Sequence, residues 1–432
     1  MVTETARSSQ PASTAAQAAP YTPQYFLAAL GAGGLAVSFF MYLMWMTPHE
    51  GAPIAHFASW TSAFVEGGFA MRALIAVAIT GVAIFALWHI RLMVWNLRTF
   101  AAWQRMPAYT AFRQGNMESQ LMAAPLALAM SVNVGFIVGA LFVPGLWGIR
   151  EMLFPFALAA FAGIGVYALR IYLAFFARVL VDGGYDCAKS NNLGQMIAVF
   201  AFAMIGVGFS ASAAMSAVPA TVAIGFIGAA FFLAAAVILG AIKLVLGFRS
   251  MMEFRAGAET TPTLWIIIPL ITVIGIGIYR LKMSLAHQFG VPVTDGEIFA
   301  LLSVFLGIQL LFGLIGWAVM RRVGYFGRWV NGPEKSPGAF ALVCPGVGLF
   351  VFGNFFINPG LVGIGLVAPL SLAYGLLYVS AWAASASSQG VNSAPSGWPI
   401  SGNSGMLIAA FNPGNRSASS RFCSSRGKGL PL

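Results

Sequence analysis

The run Leu193 to Val218, LGQMIAVFAFAMIGVGFSASAAMSAV, stops at Pro219, and two residues later Thr221 to Leu246, TVAIGFIGAAFFLAAAVILGAIKLVL, begins. Each run exceeds the roughly 20 apolar residues that cross ~30 Å of hydrocarbon. Pro219 between them is a tight-turn signal, so the pair reads as an antiparallel hairpin of two membrane-crossing helices. Hydrocarbon admits only helices or closed barrels, because every backbone polar group must be satisfied within the protein.

The same pattern extends in both directions. Before the hairpin lie runs from Tyr25 to Met46, Met71 to Trp95, Ser119 to Val143 and Met152 to Phe176. After it come runs from beyond Pro262 to His287, Glu297 to Met320, Gly338 to Ile357 and Leu361 to Ala384, the last two joined by Asn358-Pro359-Gly360, itself a turn signal. The expectation is an all-α integral membrane protein of about ten transmembrane helices, arranged as five helical hairpins around a central pore and occupying residues 25–384. Residues 1–24 read as a disordered N-terminus without the basic start and short apolar core of a secretory signal. Residues 385–432 turn abruptly to Ser, Gly, Asn and Pro with scattered basic residues, a disordered tail.

Composition agrees. Hydrophobic residues make up 59% and charged residues 8% of the 432, against about 25% charge in soluble domains. The net charge of +11 is spread between apolar runs rather than gathered in a stripe, which argues against nucleic acid as a partner. Arg98, Arg105, Arg113, Arg178, Lys189, Arg249, Arg255, Arg321, Arg322, Arg328 and Lys335 follow the second, fourth, sixth and eighth spans, whereas the other side has mainly Arg72 and Arg150. Basic loops face the cytoplasm, so both termini are expected inside a bacterial-type inner (plasma) membrane, with lipid as the surrounding partner.

Gly or Pro interrupts most odd-numbered spans: Gly31, Gly33 and Gly34, then Pro125, Gly206 with Gly208, Pro269 and Pro345. Such residues break the backbone ladder, which lipid tolerates only where protein or water satisfies the freed groups. The odd helices are therefore candidates for lining a central path; the plainer alternative is that Gly and Pro are common in membrane helices.

Polar residues inside spans are costly and functional by default. Asn133 lies within the third span and reads either as a pore residue or as helix-to-helix glue. Glu118 reads as an interfacial cap or a residue of the inner mouth. Arg280 and Lys282, toward the outer end of the seventh span, read as snorkelling outward; the alternative is that Arg280, with His287 nearby, makes a cationic vestibule that draws anions into the pore. Arg170 in the fourth span is similarly ambiguous. His89 and Arg91 read as anchors at the end of the second span.

Several chemistries are disfavoured. Four histidines, none paired on one helix, do not suit haem; no phosphate-binding loop with Gly-x-x-x-x-Gly-Lys is present. Carboxylates deep in the spans, as proton relays use, are missing. Cys187, Cys344 and Cys423 form no Cys-x-x-Cys pair. No cofactor and no metal site is expected.

Thr22-Pro23-Gln24-Tyr25-Phe26 with Leu30-Gly31-Ala32-Gly33-Gly34, and Pro262-Thr263-Leu264-Trp265-Ile266 with Pro269, resemble the first and seventh helices of the tellurite-resistance/dicarboxylate transporter family, which includes TehA and the plant slow anion channels. The resemblance spans roughly Pro23 to Ala384. It implies five hairpins, a pore of odd helices, anion or organic-acid cargo, a trimeric homo-oligomer, and a Phe before a ninth-helix Pro that plugs the channel. Here that Pro is Pro345 and the preceding residue is Cys344, a departure from the aromatic gate that leaves Phe350 or Phe352 as substitutes. Cys344-Pro345 resembles the TsoY-type membrane proteins of this family, some of which are thought to carry selenocysteine, which would make Cys344 a reactive position; buried Cys otherwise acts as a small hydrophobe.

The leading expectation is thus a channel or carrier for small anions (oxyanions, sulfur or selenium species, or organic acids). Arg280, His287 and Asn133 would bind the cargo, and Gly33, Pro125, Pro269, Cys344, Pro345, Phe350 and Phe352 would form the pore and gate. The alternative from another class is an integral membrane thiol redox protein using Cys344, and a third is a purely structural subunit.

Overall fold

Helix is the regular structure throughout the described residues, as a backbone in hydrocarbon requires. The computed structural model describes residues 21–183, 185–186, 190–332, 334 and 342–379. Cys187, Lys189, Lys335, Cys423, the expected start of the ninth span at Gly338, the end of the tenth beyond residue 379, and both expected terminal tails but for a few N-terminal residues lie outside them. The helices belong to one contact unit, Pro23–Asn392.

Among the described residues nine helices are long and apolar enough to cross a membrane: α1 Pro23–Met46, α2 Phe69–Trp103, α3 Asn116–Phe142, α4 Leu146–Val181, α5 Met196–Met215, α6 Pro219–Phe254, α7 Ala258–Phe289, α8 Asp295–Arg322 and α9 Val343–Val362. They coincide with the first nine expected spans. The even helices run longer than expected because their polar ends continue as helix past the apolar stretch. A short helix, Phe57–Glu66, occupies the connection after α1; Arg72 caps it, donating to the carbonyls of Phe64 and Val65.

Burial sorts the nine into two rings. In the most apolar stretches of α1, α3, α5, α7 and α9, 61, 61, 94, 61 and 67% of residues are buried, against 33, 28, 33 and 17% in α2, α4, α6 and α8. The odd helices touch in a closed cycle: α1 packs on α3, α3 on α5, α5 on α7, α7 on α9, and α9 returns to α1. Outside them the even helices expose Val77, Phe156, Ile227, Ile238, Leu311 and Leu314. That outer apolar belt is what a lipid solvent selects, and the chain is an integral membrane protein.

The prolines of the odd helices do not interrupt them in mid-span as expected. Pro125, Pro269 and Pro345 are each the third residue of an α-helical stretch, beginning at Ala123, Ile267 and Val343. First-turn N–H groups have no intrahelical partner, so proline removes nothing there. In α3 and α7 the α-helix is preceded by 3-10 turns, Asn116–Met122 and Ala258–Ile266, so proline marks a change of helix type. Glycine serves a different end, close approach. A Cβ on Gly208 would lie 2.2 Å from the Phe161 ring, and one on Gly225 would lie 2.9 Å from the Ala213 backbone nitrogen, the contact that zips α5 to α6. Without a hydrophobic force between helices in lipid, such contacts carry the packing.

Two expectations are corrected. Asn358-Pro359-Gly360 is not the turn: it lies in π-helix Phe356–Val362 and the chain reverses afterwards, through Gly365 at φ +75°. Asn358 holds that turn in place, donating to the Asn354 carbonyl and the Tyr378 hydroxyl, and accepting from Tyr374. His89 is no interfacial anchor: α2 continues to Trp103 and the imidazole, 1% exposed, joins three helices, Nδ1 at 2.7 Å from the Ala29 carbonyl and Nε2 at 2.9 Å from Ser131 Oγ. Lys282 pairs with Glu297 at 2.8 Å, which ties α7 to α8.

Glu118, 2% exposed, is a clamp. It accepts from Arg113 at 3.1 Å and from Arg178 at 3.0 Å, and Arg178 also donates to the carbonyls of Gln114 and Gly115. Glu118→Ala leaves Arg178 without its carboxylate and is expected to cost roughly 1–3 kcal/mol, read as a lower thermal midpoint in neutral detergent. Arg113→Ala removes a side chain that is 47% exposed and is expected to cost under about 1 kcal/mol; equal losses would contradict the clamp.

Candidate functional site

The ring of odd helices is not filled. A cavity of about 170 Å3 is lined by residues of α1, α3, α5, α7 and α9, with Phe154, Ala157 and Phe161 of α4 closing one side. On α7 the lining runs from Pro269 to Arg280, which at 1.5 Å per residue is about 16 Å along the axis. Each odd helix contributes only from a given level onward: Leu30 on α1, Met130 on α3, Phe200 on α5, Pro269 on α7 and Cys344 on α9. On the other side of that level, toward the arginine-rich end, Phe26, Met122, Leu126, Ile197 and Leu264 are buried.

Most of the wall is apolar, including Phe40, Phe136, Phe154, Phe161 and Phe200, and much of the rest is sulfur: Met41, Met130, Met204, Met215 and Cys344. Polar groups enter in two places. Toward the arginine-rich end are Cys344, Thr272 and Asn133, whose Nδ2 lies 3.6 Å from Met204 Sδ; farther along the helices are Ser212 and Arg280. Among the described lining residues Arg280 is the one permanent charge, and no Asp or Glu accompanies it. Its Nη1 donates to the Val207 carbonyl at 3.2 Å. A guanidinium carries five N–H donors, so most of its hydrogen-bonding capacity is uncommitted beside a mainly apolar space.

The level of Cys344 is braced by a polar bridge across three helices. Gln309 of α8, fully buried, donates to Thr272 Oγ1 at 2.7 Å and to the Ile268 carbonyl at 3.0 Å. Thr272 Oγ1 is in turn 2.9 Å from the Gly348 carbonyl on α9. There the backbones of α7 and α9 nearly touch: a Cβ on Gly348 would lie 2.8 Å from Pro269 Cα.

Of the expected site residues, the structure gathers Asn133, Pro269, Arg280 and Cys344 around the cavity. Gly33 is not on the wall but at a helix crossing, where a Cβ would lie 2.6 Å from Met130 Cγ and 3.0 Å from His89 Nδ1; its neighbours Gly31 and Gly34 do line. Pro125 and Pro345 are buried outside the lining. His287 is exposed near the end of α7, two turns beyond Arg280. Phe350 and Phe352 do not reach the cavity and so do not plug it: Phe350 packs on Tyr42 at 5.6 Å and Phe352 on Phe305 at 6.3 Å between ring centres. The reason is helical periodicity, since the face of α9 toward the cavity is Cys344, Val347, Gly348 and Val351, and the two rings flank it. Arg170 and Arg91 are exposed on outer helices.

Sequence reasoning missed Thr272 and Gln309, and the part played by α4. A signal existed for Gln309, an amide in the middle of an apolar span and hence costly unless partnered. Thr272 carries no such signal, because its hydroxyl can always bond its own helix, as it does to Ile268. Comparison with family models, with curated proteins and with solved structures returns no match.

Gly348→Ala drives a methyl group into backbone and is expected to cost roughly 1–3 kcal/mol. Gly135→Ala is the control, with nothing within 4 Å of the added carbon; its thermal midpoint in detergent should be unchanged or slightly raised. A wild-type midpoint for Gly348→Ala would show that α7 and α9 are not in backbone contact.

Proposed function

We propose that this chain is a membrane channel or carrier for small anions, which pass through the ring of odd-numbered helices. Arg280 carries the reading. A guanidinium set in a mainly apolar wall favours a compensating negative charge beside it, and among the described residues no carboxylate is placed to give it one. A mobile anion would. An unbalanced cation in a low-dielectric wall focuses the field on the cavity and raises the local anion concentration. Among the described lining residues no acid is present, which disfavours cation cargo for the same reason.

The resemblance of the first and seventh helices to the tellurite-resistance/dicarboxylate transporter family, and of Cys344-Pro345 to the TsoY-type proteins, supports the same class. With Phe350 and Phe352 engaged elsewhere, the barrier in this reading is the packed level on the arginine-rich side of Cys344, and opening it means parting α7 from α9 at the Thr272–Gly348 bridge. The distribution of Arg and Lys supports an orientation with that packed end toward the cytoplasm, in an inner (plasma) membrane on this reading. Flux of radiolabelled anions into proteoliposomes tests the proposal. Arg280→Gln is expected to lower the initial rate at least tenfold and Arg280→Lys to keep a measurable part of it; no flux by the wild type against any anion would end the reading.

One observation favours a second reading, a thiol redox protein: Cys344 is partly accessible and faces the cavity rather than a packed interface. That reading requires the thiol to meet solutes. Iodoacetamide, small and water-soluble, is expected to modify Cys344 in the folded protein, measured by mass spectrometry; a native thiol that stays unmodified while the unfolded one reacts removes the redox reading.

A further inference from the structure

The chemistry of the wall says more about the cargo than its sign. A multiply charged or strongly hydrated anion gives up several water hydrogen bonds on entry and needs as many donors in return. Among the described lining residues the cavity offers one cationic group, Arg280, and few further donors: Ser212, Asn133 with one N–H toward Met204 Sδ, and Thr272, whose hydroxyl is engaged with Gln309 and Gly348. A dianion would have one charge matched and the other set against Phe and Met. A compact oxyanion such as sulfate would have its far oxygens in the same position.

Size and surface point the same way. An apolar cavity of about 150 Å3 accommodates benzene, and this one measures about 170 Å3. Phenylalanine edges and faces favour an aromatic or aliphatic body, and the four methionines adapt their flexible side chains to its outline while their sulfurs make favourable contacts with rings. Arg280 supplies a planar fork that suits a carboxylate, sulfinate or sulfonate head.

We infer that the cavity is a site for an organic monoanion with a compact apolar body about the size of a benzene ring, its acidic head on Arg280 and its body between the Phe and Met walls toward Cys344. This rests on the anion reading above but asks for something narrower, a preference for amphipathic monoanions over dicarboxylates and inorganic oxyanions.

Benzenesulfonate is a suitable probe, because it stays charged at every working pH and does not cross lipid as a neutral acid. Calorimetric titration of the purified full-length protein in an uncharged detergent, against benzenesulfonate, succinate and sulfate separately, is expected to show benzenesulfonate binding at least tenfold more tightly than either of the others. Neutral benzyl alcohol should bind at least tenfold more weakly than benzenesulfonate, and Arg280→Gln should erase that difference while Arg280→Lys keeps part of it. Succinate or sulfate binding as well as benzenesulfonate overturns the inference, as does benzenesulfonate binding that Arg280→Gln leaves unchanged. The same ligands assayed for flux separate the two claims: sulfate or succinate flux without a benzenesulfonate preference sinks this inference alone, whereas tight benzenesulfonate binding without flux of any anion sinks the transport reading alone.

Discussion

A helix in hydrocarbon has no water to repair its backbone and no hydrophobic force to draw it to its neighbours, so it must associate through close contact and internal hydrogen bonds. Most of this architecture follows from that constraint. Glycines are placed where two backbones or a backbone and a ring meet, as at Gly208 against Phe161 and Gly348 against Pro269. Buried polar side chains bond across helices: His89 to α1 and α3, Gln309 to α7, Glu118 to two arginines. The odd helices meet such contacts on most of their surface, whereas the even helices make them along one face only and turn the opposite, apolar face to the lipid. The two rings are the outcome.

The inner ring also has to end in space. Five helices packed side by side leave an axis that side chains fill only when they are long enough. Toward the arginine-rich end Phe26, Met122, Leu126 and Ile197 are buried in packing, whereas higher up the small residues Gly31, Gly34, Gly208, Ala211 and Gly348 face the centre and leave it hollow. The cavity is therefore a consequence of where small residues fall in register on helices α1, α5 and α9. Among the described lining residues one permanent charge, Arg280, faces that hollow, its guanidinium on the Val207 carbonyl.

Span positions and the inner role of the odd helices were legible in the sequence, because apolar length and the clustering of Gly and Pro both respond to the same solvent. The reason offered for the prolines was not right: at the third position of an α-helix, Pro125, Pro269 and Pro345 break nothing and instead follow 3-10 turns in α3 and α7. Side-chain direction was the illegible part. Whether Phe350 or Val351 faces the axis depends on a rotation of about 100° about the helix, and an apolar sequence on all sides fixes no such rotation. The same ambiguity hid the wall residues of α4 and the bridge from Gln309 through Thr272 to Gly348. Asn358-Pro359-Gly360 misled for a related reason, since its turn chemistry is absorbed by a π-helical turn tied to Tyr374 and Tyr378.

The central claim is that the odd helices surround a space that water and anions enter while the even helices face lipid. Single cysteines placed in a background lacking Cys187, Cys344 and Cys423, and treated with a membrane-impermeant anionic methanethiosulfonate in proteoliposomes, test it most directly. Cysteine in place of Asn133, Val207 or Val273 should be modified, and cysteine in place of Val77, Ile238 or Leu314 should not. Labelling of the three outward positions with protection of the three inward ones would contradict the account.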